Sequence, residues 1–197
     1  TEDRAKILVE AAHNSIGLDG GAGTRSELYM LLEEHRLWIS QLEAVEKALE
    51  ETTLKVDHVE KLLAIKGVGI ITLAGFIAEI GDIRRFKSPK QIQKYAGLEL
   101  VENSSGKHKG RSRISKRGRR KLRRILYQVM IPLLARNREF REIYDYYVIP
   151  VKNPLKRRQA MVAVSCKLIR VFYAVLTKGV DYDRFKMMSD IHRDSEL

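Results

Sequence analysis

A 3,4 alternation runs along the first third of the chain at Leu28, Leu31, His35, Trp38, Leu42, Val45, Leu49, Thr52, Val56, Val59 and Leu63, with Glu and Lys between. Five heptads in one register predict a long helix with a coiled-coil seam, because a seven-residue repeat keeps one stripe turned toward a partner. The same stripe is open to a second reading, a long helix packed on its own domain. Thr24 and Glu27 form a T-x-x-E capping box that marks the expected helix start. A glycine-rich break from Gly17 to Gly23 precedes it, and a short amphipathic piece (Ile7, Leu8, Ala11, Ala12, Ile16) precedes the break.

After Leu63 the pattern changes. Ile65-Lys66-Gly67-Val68-Gly69 separates two apolar helical stretches, the second from Ile70 to Ile80. This predicts a helix-hairpin-helix, in which turn amides at the start of the second helix approach a phosphate. Lys66, Gly67 and Gly69 are its candidate contacts, and a plain turn is the alternative. Ser88-Pro89-x-Gln91 starts a short helix that ends near Gly97. Residues 98–114 read as loop or short strands. A helix follows Ser115 and runs to about Asn137, with a kink expected at Pro132. A short helical stretch holds Tyr144, Tyr146 and Tyr147, which read as packing residues. Asn153-Pro154 is the expected cap of the last main helix, whose apolar face includes Met161, Val164, Leu168, Val171, Phe172 and Val175, and Gly179 stops it. The expected fold is mainly α: a long coiled-coil helical arm over residues 1–60, then a small helical domain with the hairpin motif over 61–197.

Charge sharpens this division. The net charge is +12, yet residues 1–60 carry 13 acidic and 6 basic side chains, so the remainder holds all the excess positive charge. From Lys107 to Arg124, eleven of eighteen residues are Lys or Arg and none is acidic. A solvated helix face normally alternates signs, so the missing counter-charge is a polyanion. Lys107, Lys109, Arg111, Arg113, Lys116, Arg117, Arg119, Arg120, Arg123 and Arg124 are the candidate nucleic-acid contacts. Lys116, Arg119, Arg120, Arg123 and Arg124 are expected on one side of a helix, with Leu122, Ile125 and Leu126 facing the core. One cysteine, Cys166, excludes an intrachain disulfide. No apolar run approaches a membrane span, and no signal peptide opens the chain.

Ser104-Ser105-Gly106 stands directly before the basic run. A serine hydroxyl becomes a nucleophile only where its surroundings stabilise the alkoxide, which a Lys/Arg cluster does; a Ser-Ser-Gly turn is the ordinary reading. The five histidines (His13, His35, His58, His108, His192) show no metal-ligand spacing, and no carboxylate cluster is visible.

Ile65–Gly69, Ala78-Glu79-Ile80-Gly81-Asp82-Ile83, Arg85-Phe86, Tyr95-Ala96-Gly97-Leu98, Ser105-Gly106, Gly110 and Arg113–Gly118 together resemble the C-terminal transposase domain of the DEDD insertion-sequence family. That family includes relatives of the Piv DNA invertase and recombinases guided by a bridging RNA, and the likeness covers about residues 60–180. The resemblance implies a serine nucleophile that links covalently to DNA, which falls on Ser105 with Ser104 beside it. It also implies an N-terminal RuvC-like domain whose acidic tetrad binds Mg2+, joined through a coiled coil. The chain begins at Thr1 and shows no such tetrad, so this piece alone is expected to bind DNA and oligomerise without completing strand exchange. Implied partners are DNA, a structured guide RNA and further copies of the chain, as dimer or tetramer, in a prokaryotic cytoplasm at the nucleoid. The alternatives are a noncatalytic helix-hairpin-helix module that binds DNA or RNA, and a dimerising scaffold whose basic segment binds RNA.

Overall fold

The computed structural model describes residues 2–17, 20–101, 104–105, 108–109, 113–149 and 154–189. The chain forms two compact units, Thr1–Val45 and Glu46–Leu197. The first holds helix α1 (Glu2–His13) and most of α2 (Gly21–Leu54). Helix α2 starts at Gly21, ahead of the expected T-x-x-E box, so Thr24 and Glu27 lie inside it. Each added residue gains a helical hydrogen bond, which offsets the cost of about 1 kcal/mol for a helical glycine.

At its other end α2 stops at Leu54. The chain turns through residues 55–58, where His58 takes a left-handed conformation (φ 66°). The expected seam therefore ends at Thr52, and Val56, Val59 and Leu63 belong to other elements. Leu28, Leu31, Trp38, Leu42 and Val45 are each more than half exposed. Tyr29, Met30, Leu32, Leu37 and Ile39 are exposed as well, so the apolar surface of α2 is wider than the 3,4 stripe.

The second unit is a helical domain: α3 (Val59–Leu63), α4 (Ile70–Ile80), a 3-10 turn (Ile83–Arg85), α5 (Pro89–Tyr95), α6 (Arg120–Arg136), α7 (Arg138–Val148), α8 (Arg157–Lys178) and α9 (Arg184–Met188). Helix α6 packs on α4, α7 and α8, while α8 also meets α3, α5 and α7. The apolar positions that face inward follow helical spacing. They are Leu73, Phe76 and Ile80 on α4, Leu122, Leu126, Val129 and Leu133 on α6, and Val164, Leu168, Phe172 and Val175 on α8. Phe76 and Phe172 meet edge to face at 4.9 Å, a geometry that adds about 1 kcal/mol to simple burial.

Helix α8 is long and apolar enough to cross a membrane, a length and hydropathy the sequence reading did not anticipate. Its buried face, from Ala160 to Val175, is the centre of the folded core, and Lys167 and Arg170 interrupt its other side. It begins at Arg157, later than Asn153-Pro154 predicts; Gln159 Oε1 accepts the Lys156 amide at 2.9 Å in its first turn, and Asn153 lies outside the described residues. Asn137 joins two helices by ending α6 and capping α7, its side chain accepting from the Phe140 amide at 3.1 Å. Helix α6 continues through Pro132. Gly179, with φ 63°, ends α8 as expected, and a Cβ there would lie 2.8 Å from the His58 ring.

Candidate nucleic-acid interface

Between α5 and α6 the chain leaves the helical core and returns to it. The outward path holds β1 (Leu100–Val101) and β2 (Ser104–Ser105), and the return path holds β3 (His108–Lys109) and β4 (Arg113–Ile114). β1 pairs antiparallel with β4, Val101 opposite Arg113, and β2 pairs with β3, Ser105 opposite His108. Ser105 thus stands in a two-stranded ribbon, separated from its pairing partner only by Gly106 and Lys107 in sequence. Ser105 and Lys109 are described by this backbone pairing. Lys107 and Arg111 lie outside the described residues.

The base of the ribbon is fastened to α5. The Ser115 amide donates to Glu99 O (2.7 Å), Lys116 N–H to Gly97 O (3.0 Å) and Arg119 N–H to Tyr95 O (2.7 Å). Two glycines make this contact sterically feasible. Gly97 has φ +70°, and a Cβ on Gly118 would fall 2.4 Å from Tyr95 O and 2.7 Å from Gly97 N. No side chain fits between these backbones.

These bonds also correct the expected helix. Residues 115–119 are not helical, Lys116 is left-handed (φ 54°) and α6 starts at Arg120. Lys116 therefore does not share a helix face with Arg119, Arg120, Arg123 and Arg124. Nor is Arg123 simply a surface charge. Its Nη1 donates to Ala96 O at 2.9 Å and Lys116 O at 3.4 Å, so it ties α6 to the ribbon base. Arg113, Lys116, Arg117, Arg119, Arg120, Lys121 and Arg124 are exposed. The first turn of α6 holds basic residues and no acidic one. Positive charge there opposes the helix dipole at about 0.3–1 kcal/mol per group, so these residues are kept at a cost to helix stability.

The turn at Lys66–Gly69 lies elsewhere on α6. Gly67 has φ +93°, and a Cβ on it would stand 2.6 Å from Leu133 Cα and 2.7 Å from Pro132 O. Its glycine is required for packing against the second half of α6. Gly69 caps α4 in an extended conformation with open space around its Cα, and Lys66 is exposed. Thirteen residues of α6 separate Leu133 from Arg120, roughly 20 Å at 1.5 Å per residue. The Lys66–Gly69 turn and the basic segment therefore sit toward opposite ends of one helix.

Sequence reasoning missed a second group of cations. Arg84 and Arg85 on the 3-10 turn, Lys87 after it, and Lys90 and Lys94 on α5 are exposed. Arg119 Nε donates to Tyr95 Oη at 2.8 Å. Hydrogen bonding from Arg119, and then from Arg85, holds the Tyr95 phenol below its ordinary range. The signal was present in the interleaving of Arg84-Arg85-Phe86-Lys87 and Lys94-Tyr95, aromatic rings flanked by positive charge. Among the described residues, no group of three His, Cys, Asp or Glu side chains is placed to hold a metal ion.

Residues 59–145 match the model of the transposase IS116/IS110/IS902 family. The chain is similar to the transposase for insertion sequence element IS1111A of Coxiella burnetii, with 31% identity over 72% of this chain and 37% of that protein. It is similar to the pilin gene-inverting protein of Moraxella bovis, with 31% identity over 77% of this chain and 44% of that one. A probable family 20 transposase of Pseudomonas aeruginosa is 27% identical over 77% of the chain and 46% of its own length. The chain spans less than half of each of these curated relatives.

Proposed function

The chain belongs to the IS116/IS110/IS902 transposase family, and from that premise we propose that it is the part of a recombinase that grips DNA and supplies a serine nucleophile, Ser105. The observation that carries this reading is the placement of Ser105 in a ribbon whose base is held against α5 and opens into a segment rich in Lys and Arg, with no acidic residue from Lys107 to Arg124. In the proposed step the Ser105 Oγ–phosphorus bond forms as one phosphorus–oxygen ester bond of a DNA strand breaks. The departing deoxyribose oxygen takes up a proton, and the serine hydroxyl loses one. Arg113, Lys116, Arg120 and Arg124 are the charges proposed to hold the phosphate backbone, and their positive field favours the alkoxide. Strand exchange then requires an acidic metal-binding domain of the RuvC type, with Mg2+ held there and not by the described residues of this chain. Copies associate through α2 to bring the two halves of the site together, and a structured guide RNA is a further proposed partner.

The test uses a protein that carries both the acidic domain and this chain, incubated with labelled donor DNA. A protein–DNA adduct that survives denaturation should form with the native sequence and with Ser104→Ala, and vanish with Ser105→Ala. An undiminished adduct in Ser105→Ala would end the assignment of this residue. A noncatalytic DNA- or RNA-binding module, the second reading, predicts no adduct under any condition, with binding retained.

A further inference from the structure

An open cavity of about 660 Å³ lies beside the ribbon base, bounded by Arg85, Phe86, Lys94, Tyr95, Arg117 and Arg119. Among the described residues no acidic side chain lines it. Its cations are gathered by an uncharged group. The Tyr95 hydroxyl accepts from Arg119 Nε at 2.8 Å. The Arg85 guanidinium stacks 4.7 Å from the Phe86 ring centre and 5.2 Å from that of Tyr95. Arg119 also lies 5.8 Å from the Tyr95 ring. Rings and a phenol orient guanidinium groups without cancelling their charge, as a carboxylate would.

One acid, Glu79 of α4, approaches Arg119. Its Oε2 stands 3.9 Å from Arg119 Nε, beyond hydrogen-bond length, and is buried without a hydrogen-bond partner. Glu79 therefore attracts Arg119 without accepting a hydrogen bond from it at Oε2. Lys94 has a long, exposed contact to Glu99 at 3.8 Å, which solvent screens. Three arginines and a lysine thus converge on one cleft with little local neutralisation, and two aromatic rings form its wall. Fork-shaped donors held in fixed planes match a phosphate diester.

We propose that this cleft is a second phosphate-binding subsite, in which Arg85, Arg117 and Arg119 grip a nucleic-acid phosphodiester and Tyr95 is the positioning residue that aligns two of them. It rests on the reading of the chain as a nucleic-acid binder, and it extends the contact surface from the ribbon onto the 3-10 turn and α5. The subsite adjoins the ribbon base, since Arg117 and Arg119 lie on the segment that joins β4 to α6.

The experiment titrates the 197-residue chain against fluorescent single-stranded DNA, duplex DNA and RNA of one sequence, from low to moderate salt, by anisotropy. Arg85→Gln should weaken binding roughly tenfold on the nucleic acid that uses the subsite and lower the salt slope by about one. Tyr95→Phe keeps the ring and removes the acceptor; it should weaken binding with the salt slope unchanged, since no charge is lost. Tyr95→Glu, which supplies a neutralising anion, should weaken it further. The nucleic acid on which these losses appear identifies the source of the phosphate. Far-UV circular dichroism must match the native chain, and Lys178→Gln, remote in sequence, serves as the charge control. If Arg85→Gln and Tyr95→Phe bind as tightly as the native chain while Arg113→Gln and Arg120→Gln do not, the subsite is refuted and the basic segment stands. If the native chain binds none of the three nucleic acids, both fail together.

Discussion

At the scale of single residues, the glycines divide into two kinds. Gly67 combines a positive φ with a backbone 2.6 Å from where its Cβ would be, whereas Gly69 has neither constraint. Gly67→Ala should cost roughly 2–4 kcal/mol, the sum of left-handed strain and overpacking, and Gly69→Ala far less. Urea denaturation of the two variants measures the contrast, and equal midpoints would contradict it. Titration offers a second test. Burial pushes the Cys166 thiol from 9.0 up to about 11 and the Tyr182 phenol from 10.0 up to about 12. Both groups hold their protons more tightly in the folded chain. Their contribution to stability is whole below pH 9 and is lost as the pH climbs toward 12. Thermal melts should fall across that window, less steeply in Cys166→Ala, and an identical fall in that variant would remove Cys166 from the account.

At the scale of elements, patterns confined to one helix were legible and those depending on distant backbone were not. The limits of α4, the Ser88-Pro89 start of α5 and the Gly179 stop follow from local rules of periodicity and capping. The seam of α2 was extended too far because Val56, Val59 and Leu63 keep the 3,4 period by coincidence across a turn. No local rule sees that Thr53 and Val59 are already buried in the second unit. Lys116 was placed on a helix for a related reason. Its spacing suits one, but its amide is taken by Gly97, nineteen positions earlier. Sequence likewise cannot show the two carbonyls, Ala96 O and Lys116 O, that converge on the Arg123 guanidinium. The exposed apolar surface of α2 carries its own prediction. Replacing Leu31, Trp38 and Leu42 together by Glu should leave the chain folded and shift its sedimentation from an oligomer to a monomer. A native chain that already sediments as a monomer would contradict the proposed pairing.

For the whole molecule, charge is divided along the chain, acidic in the first sixty residues and basic beyond them. Changing Arg113, Lys116, Arg120 and Arg124 to Gln should lower the logarithmic salt slope of DNA binding by about 3–4, because each neutralised phosphate releases counterions. A slope unchanged after all four substitutions would place the phosphate contacts elsewhere. The family was legible because its motifs fall where backbones touch. Tyr95-Ala96-Gly97 and Arg117-Gly118-Arg119 are the two sides of one contact, and the spacing between them is the length of the ribbon. That contact has an evolutionary corollary. With both feet of the ribbon clasped by hydrogen bonds and by glycines that admit no substituent, the span from Leu100 to Ile114 is a closed cassette. Doubling the length of such a loop costs only about 0.6 kcal/mol in closure entropy, so closure alone does not fix its length; the proposed roles of Ser105 and Arg113 would fix the residues it carries. The clasp beneath it, where Gly118 admits no Cβ and Gly97 has a positive φ, is the part least free to change.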